Sequence, residues 1–273
     1  MHFRRILASF ILMGFSLACN PVLAEETKNE VKKIQDNSFL LEEAYNQEPG
    51  VVQHIQSFQY MKGDKWLYNF TQEWPVPKET HQFSYTIPLM KLEAPDRNSG
   101  LGDILLNYRY QAVQKEHIAV APRFSLVLPT GDYKKGLGTG TVGYQVNIPV
   151  SVELNDNFVT HWNLGWTFTP NSKNEIGEKA DTIATNYGAS LIYLASENFN
   201  LMLEAAGNAG QKVVGQGVTA EDNTLFINPG MRFAINCASG LQIVPGISFP
   251  IGIGPSKGEY GVLTYLSFEH SLF

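Results

Sequence analysis

Residues 100–143, GLGDILLNYRYQAVQKEHIAVAPRFSLVLPTGDYKKGLGTGTVG, decide the fold. A β-strand turns successive side chains to opposite faces. In the first half, Ile104, Leu106, Tyr108, Tyr110 and Ala112 share one face. Asp103, Asn107, Arg109 and Gln111 share the other, with Leu105 the only apolar exception. In the second half, Ile118, Val120, Phe124, Leu126 and Leu128 alternate with Ala119, Ala121, Arg123 and Ser125. Residues 114–116 separate the two runs, enough for a tight hairpin. Thr130, Gly131 and Asp132 follow, then Gly136, Gly138 and Gly140, and together they read as a long flexible loop. A mid-strand arginine such as Arg109 or Arg123 has to face water, a partner or a lumen, because an unpaired buried charge is too costly. One such hairpin fits a soluble lipid-binding barrel or a membrane barrel. Its recurrence, and what precedes it, decide between them.

Residues 1–24 read as a secretory signal peptide. Arg4 and Arg5 are followed by a short apolar run over residues 6–18, with Val22 and Ala24 at the positions that mark cleavage after Ala24. Ser16 stands where a lipoprotein signal usually has Leu, which argues against lipidation of Cys19. Cleavage would remove two of the 20 basic residues and none of the 26 acids, moving the formal charge from −6 to −8. That balance argues against a nucleic-acid partner. Cys237 would then be the mature chain's single cysteine, so no intramolecular disulfide is expected. Beyond the signal no run of 18 apolar residues occurs, which excludes a helical membrane protein. Aromatics nevertheless make up 12% of the chain, as suits a membrane barrel whose strands are polar on one face.

Residues 25–49 are polar and charged. They read as a periplasmic segment with some helix, capping the barrel end rather than plugging it. Alternating strands then follow at regular spacing over residues 50–273, about twelve in all, an even number as in bacterial outer-membrane barrels. Pro149 interrupts the clearest of them and predicts a bulge there. Connections after even-numbered strands are short (75–79, 113–116, 154–157, 196–198, 237–239), and those after odd-numbered strands are mostly long, including polar loops at 170–181 and 207–222. Short periplasmic turns with longer extracellular loops are the outer-membrane signature. Trp66 and Trp74, Trp162 and Phe168, and Tyr187 and Tyr193 sit at strand ends, as interfacial girdles require. The fold class is therefore all-β: a transmembrane antiparallel up-and-down barrel in contact with outer-membrane lipid. The last strand ends in Phe273, the expected handle for the barrel-assembly machinery, although Ser267, Glu269 and Ser271 share its face.

GDILLNYRYQ, APRFSLVLPTGDYKKGLGTGTVG and NPGMRFAI resemble the putative MetA-pathway phenol-degradation family of outer-membrane proteins. The LPTGD and GLGTG pair is the most specific part, and the resemblance extends over residues 50–273. It implies an outer-membrane barrel and passive uptake of small hydrophobic or aromatic compounds. It brings no catalytic or binding residues with it.

The inward faces carry Glu73, Asp103, Arg109, Arg123, Glu153, His161, Glu204 and Arg232. These are candidates either for a pore lining that sets selectivity or for internal ion pairs that fill a narrow barrel. Arg109 and Arg123 lie on paired strands, so one of them should pair with an acid such as Asp103. A structural or adhesion barrel with an occluded lumen shares every feature above. An outer-membrane lipid hydrolase would need a serine activated by a histidine. His270 and Ser271 are adjacent and so face opposite ways, and His161 has no serine near it in sequence. His54, His81, His117, His161 and His270 are scattered singly, so neither a metal nor another cofactor is expected. The glycines at 136–140 lead into a strand without the Lys-Ser/Thr of a phosphate loop.

Overall fold

The structure, a computed structural model, describes residues 38–93, 97–237 and 241–271. The strand segments merge into twelve strands of one closed sheet. They are β1 (Val51–Met61), β2 (Lys65–Pro75), β3 (His81–Lys91), β4 (Ser99–Leu101, Ile104–Tyr110 and Val113–Lys115), β5 (Ile118–Val120 and Arg123–Leu128) and β6 (Gly143–Asn155). Then come β7 (Phe158–Lys173), β8 (Lys179–Ser196), β9 (Phe199–Gly215), β10 (Val218–Phe233 and Ile235–Asn236), β11 (Gln242–Ser248 and Ile251–Gly252) and β12 (Gly261–Ser271). Every neighbour pair is antiparallel. β1 closes the barrel on β12 over its full length, from Val51 opposite Ser271 to Met61 opposite Gly261. Closure leaves no edge strand and pairs the backbone within the sheet, the condition for crossing hydrocarbon.

The alternation places side chains as the pattern requires. Asn107, Arg109, Gln111, Ser125, Asn147 and Asn163 are buried in the interior. Tyr108, Phe124, Tyr144, Trp162, Trp166 and Leu191 stand exposed on the outside. An outward row of large apolar side chains on a single-chain barrel is surface made for lipid.

Several expectations need correction. Polar residues on both faces read as loops at 170–181 and 207–222, yet β7 and β8 pair as far as Lys173 opposite Lys179. β9 and β10 likewise pair as far as Gly215 opposite Val218. The β9–β10 tip meets water on both faces, and at the β7–β8 tip the buried positions are the small Ser172, Ala180 and Thr182, so neither tip carries an apolar period while the backbone ladder continues. The β4–β5 hairpin is tighter than residues 114–116, because Lys115 pairs with Ile118. Nor does Pro149 break its own strand: β6 stays in register with β7 through Asn163 opposite Pro149. The interruption falls on the neighbour, where Ala121 and Pro122 separate the segments of β5 and the Ala121 amide donates to the Pro149 carbonyl. Cys237 is buried just beyond β10, where its amide donates to the Leu241 carbonyl at 2.9 Å. Phe273 and the signal segment lie outside the described residues. Ser267 is buried inside the barrel, which accounts for a polar residue on that face of β12.

Candidate functional site: a segment lodged in the lumen

Residues 38–47 do not cap the barrel. They run irregularly along its inner wall near the short-turn end, from β10 and β12 round to β1 and β3. A chain without a neighbouring strand must find other partners for its amides and carbonyls. Here the wall supplies them one side chain at a time. The amides of Leu40, Glu42, Ala44 and Asn46 donate to Glu204 Oε1 (3.1 Å), Asn163 Oδ1 (3.0 Å), Ser151 Oγ (2.8 Å) and Gln111 Oε1 (3.0 Å). The Gln47 amide donates to Gln82 Oε1 at 2.8 Å. In return Asn163 Nδ2 donates to the Glu42 carbonyl and Gln111 Nε2 to the Ala44 carbonyl, both at 2.7 Å. Inward polar side chains thus replace the missing strand ladder. At about 1 kcal/mol net each, such bonds together hold the segment firmly while leaving every one individually replaceable by water.

Arg109 is the centre of one half of this arrangement. Its Nη1 and Nη2 donate to the Glu43 and Tyr45 carbonyls (3.2 and 2.6 Å), and its Nε donates to Asn46 Oδ1 at 3.0 Å. Glu73 balances its charge at 3.9 Å and accepts from Gln82 Nε2 at 2.7 Å. Arg123 anchors the next stretch. Its Nη2 pairs with Glu42 at 2.7 Å and also donates to Gln145 Oε1, while Nη1 donates to Asn107 Oδ1. Each arginine has an acid partner, as expected, but in neither case is it Asp103. Arg123 takes its acid from the lodged segment itself.

At the far end, Phe39 lies against Arg232, whose guanidinium carbon is 4.6 Å from the Phe39 ring centre and 3.8 Å from that of Tyr265. The two rings meet edge to face at 6.0 Å. Gly230 and Gly246 make the room: a Cβ at either would come within 2.5 Å or 2.8 Å of the Phe39 ring. Ala44 packs against Ala119 and Ala121, with Tyr45 beside them. Burial, with help from Glu153 and Glu43, pushes the Tyr45 hydroxyl up to about 12.

The remaining candidates separate. Glu204 is buried, holding Leu40 and accepting from Asn228 Nδ2 at 2.7 Å. His161 meets Ser151, Nδ1 to Oγ 2.7 Å, a proximity absent from the sequence order. That pair is sealed, since both residues are buried and Ser151 Oγ already accepts the Ala44 amide. Glu153 sits at the short-turn rim, half exposed, 3.8 Å from His117. Asp103 belongs to the opposite end, where it accepts from the Gly131 amide (2.9 Å), the Thr139 amide (2.7 Å) and the Thr139 hydroxyl (2.8 Å).

The glycine-rich loop is accordingly folded rather than flexible. Thr130 Oγ1 accepts the Ile104 amide and donates to the Gly102 carbonyl. Asp132 caps a short 3-10 turn over Tyr133–Lys135, which ends at Gly136 in the left-handed region (φ 70°). Gly138 packs so closely that a Cβ there would reach Asp103 Oδ1 at 2.3 Å. The lumen also takes in residues outside the charged candidates: the neutral wall residues Gln82, Gln111, Asn147, Ser151 and Asn163, and Phe39 and Glu42 of the lodged segment. The parity of the strands already put the wall members among them on the inner face.

Solved structures share this architecture. One is the COG4313 outer membrane channel from Pseudomonas putida F1, with 13% identity, 83% of this chain and 97% of that chain covered, and a TM-score of 0.57. Another is the NanC porin, with 7% identity, 80% and 100% coverage, and a TM-score of 0.54. At such identities the likeness is one of fold. No curated protein matches the chain. The family model described as "Putative MetA-pathway of phenol degradation" matches residues 46–249, so this chain belongs to that family.

Proposed function

We propose that this protein is a channel of the Gram-negative outer membrane for small, neutral, hydrogen-bonding solutes, closed at rest by residues 38–47. The observation that carries the reading is the lodged segment itself. It occupies the lumen through many modest, exchangeable bonds to wall amides, a hydroxyl and a carboxylate rather than as part of the sheet. A wall built that way can release the segment to water and offer the same groups to a solute. Beyond the segment the wall carries further hydroxyls and amides: Thr71 meets Thr86 at 2.8 Å, Gln145 donates to Thr167, and Asn107 donates to Ser84. This lining suits sugars and other neutral polar solutes better than the apolar compounds the family description brings to mind. A short-turn end holding both the lodged segment and the N-terminal side of β1 supports a periplasmic placement for that end, and the signal-like sequence of residues 1–24 supports export.

Single-channel conductance of the mature protein in a planar bilayer, with and without residues 25–49, tests the closure. Conductance that appears only after truncation supports it. Steady conductance in the intact protein overturns the resting closure, and silence from both forms favours an occluded structural barrel. Liposome swelling with the truncated form then tests the solute class. Neutral sugars should permeate, and failure to admit them would overturn the polar-solute reading.

A further inference from the structure

The barrel closes by pairing β1 with β12, and the register sets Val52 opposite His270 and His54 opposite Phe268. His54 and His270, 216 residues apart in sequence, thereby become diagonal neighbours on the outward face at the short-turn end. Their Nε2 atoms lie 3.2 Å apart. The rings are nearly parallel, with centres 5.3 Å apart and planes 18° apart. Phe268 stacks on His54 with ring centres 4.7 Å apart, which fixes the orientation of the His54 ring. His270 Nδ1 lies 3.0 Å from the Ser271 carbonyl, which can only accept. The proton of neutral His270 is therefore on Nδ1, and its Nε2 lone pair faces Nε2 of His54.

This is the arrangement a metal-ligating histidine shows, with one ring nitrogen tied to a carbonyl and the other free to coordinate. Two imidazoles bound at about 2.0–2.1 Å in a tetrahedral shell place their nitrogens about 3.3 Å apart. We propose that His54 and His270 form a two-histidine site for a borderline divalent transition-metal ion such as Zn2+ or Cu2+. Water or lipid phosphate would complete the shell. Binding needs one adjustment: His54 moves its proton from Nε2 to Nδ1, and the metal takes the place of that proton between the rings. The bound ion would join the first strand to the last, across the seam where the barrel closes. Among the described residues no cluster of three or more ligand-type side chains occurs, so this pair stands apart from a full protein cage.

The test uses untagged mature protein refolded in detergent. Cu2+ should titrate one site, and its electron paramagnetic spectrum should show coupling to two nitrogens. Zn2+ should raise the temperature at which the folded form is lost on heat-modifiability gels, reversibly with chelator. His54→Gln and His270→Gln should each weaken Cu2+ affinity at least tenfold. His117→Gln, which removes the exposed imidazole beside Glu153, should leave it unchanged. Binding that is equal in wild type and in both seam variants overturns the site, as does single-nitrogen coupling in wild type. The wild-type spectrum decides the matter even if a seam variant does not refold.

Discussion

Arg123 Nη2 lies 2.7 Å from the Glu42 carboxylate, joining the wall of the barrel to the segment that occupies it. Both partners are drawn largely out of water, the arginine side chain being 12% exposed and the glutamate 31%. Glu42 gains a further bond from Asn147 Nδ2 at 3.1 Å. A charge-assisted contact of this kind contributes about 1.5–3 kcal/mol, and each 1.4 kcal/mol is tenfold in an equilibrium. Arg123→Glu should therefore raise the open fraction at least tenfold and turn the pore towards cations. Glu42→Arg in that background should restore closure. Conductance and reversal potential read both effects, and unchanged values in Arg123→Glu would remove this pair as a latch.

The Phe39 socket gives a second handle on the same equilibrium. At Gly246 an added Cβ meets Phe39 Cε1 at 2.8 Å and Arg232 Cγ at 2.9 Å, both atoms of side chains. The sheet can therefore keep its register while Phe39 is pushed out. Gly246→Ala should increase conductance in the wild-type background, and add much less once Phe39 is already alanine, when only the Arg232 Cγ contact remains. Non-additivity of that sort identifies a direct contact. Equal effects in both backgrounds would instead mean that the substitution acts on the strand.

Much of this was readable in advance, and the residues show where reading stops. Inward Arg109, Glu73 and Glu204 follow from parity alone, because a period of two leaves no choice of face. The lodged segment has no period. It is polar and irregular, and its partners are single side chains drawn from strands distant in sequence, so nothing local marks it. Gly230 and Gly246 look like weak points in strands, and only the position of Phe39 shows that they are sockets. The tops of β7 to β10 were lost for the opposite reason. Where neither face carries large apolar side chains, a strand looks like a loop. His54 and His270 meet only because the ring closes.

The folded loop predicts a change far from the segment. Asp103 accepts three hydrogen bonds from Gly131 and Thr139, tying both arms of the loop to β4. Asp103→Ala leaves those donors to water and should loosen residues 129–142 without unfolding the barrel. Trypsin should then cut after Lys134 or Lys135 at least tenfold faster, while heat-modifiability stays that of a folded barrel. Unchanged cleavage would mean that the Asp132 cap and the Thr130 bonds suffice to hold the loop.

Alkaline pH should release the segment through Tyr45. Burial, reinforced by Glu153 and Glu43, raises this hydroxyl from 10.0 to about 12 in the lodged state. Where ionisation is harder in the lodged state, lodging is undisturbed below the free value and weakens as pH rises towards the lodged value. The window is therefore pH 10 to 12, and within it release of one proton favours the free segment by at most about tenfold per pH unit. Tyr45 is only partly buried, so the measured slope should fall below that limit. Tyr45→Phe has no proton to lose, and its conductance should rise less over the same window. The difference between the two proteins isolates Tyr45 from every other group that titrates there, and identical profiles would place the alkaline response elsewhere.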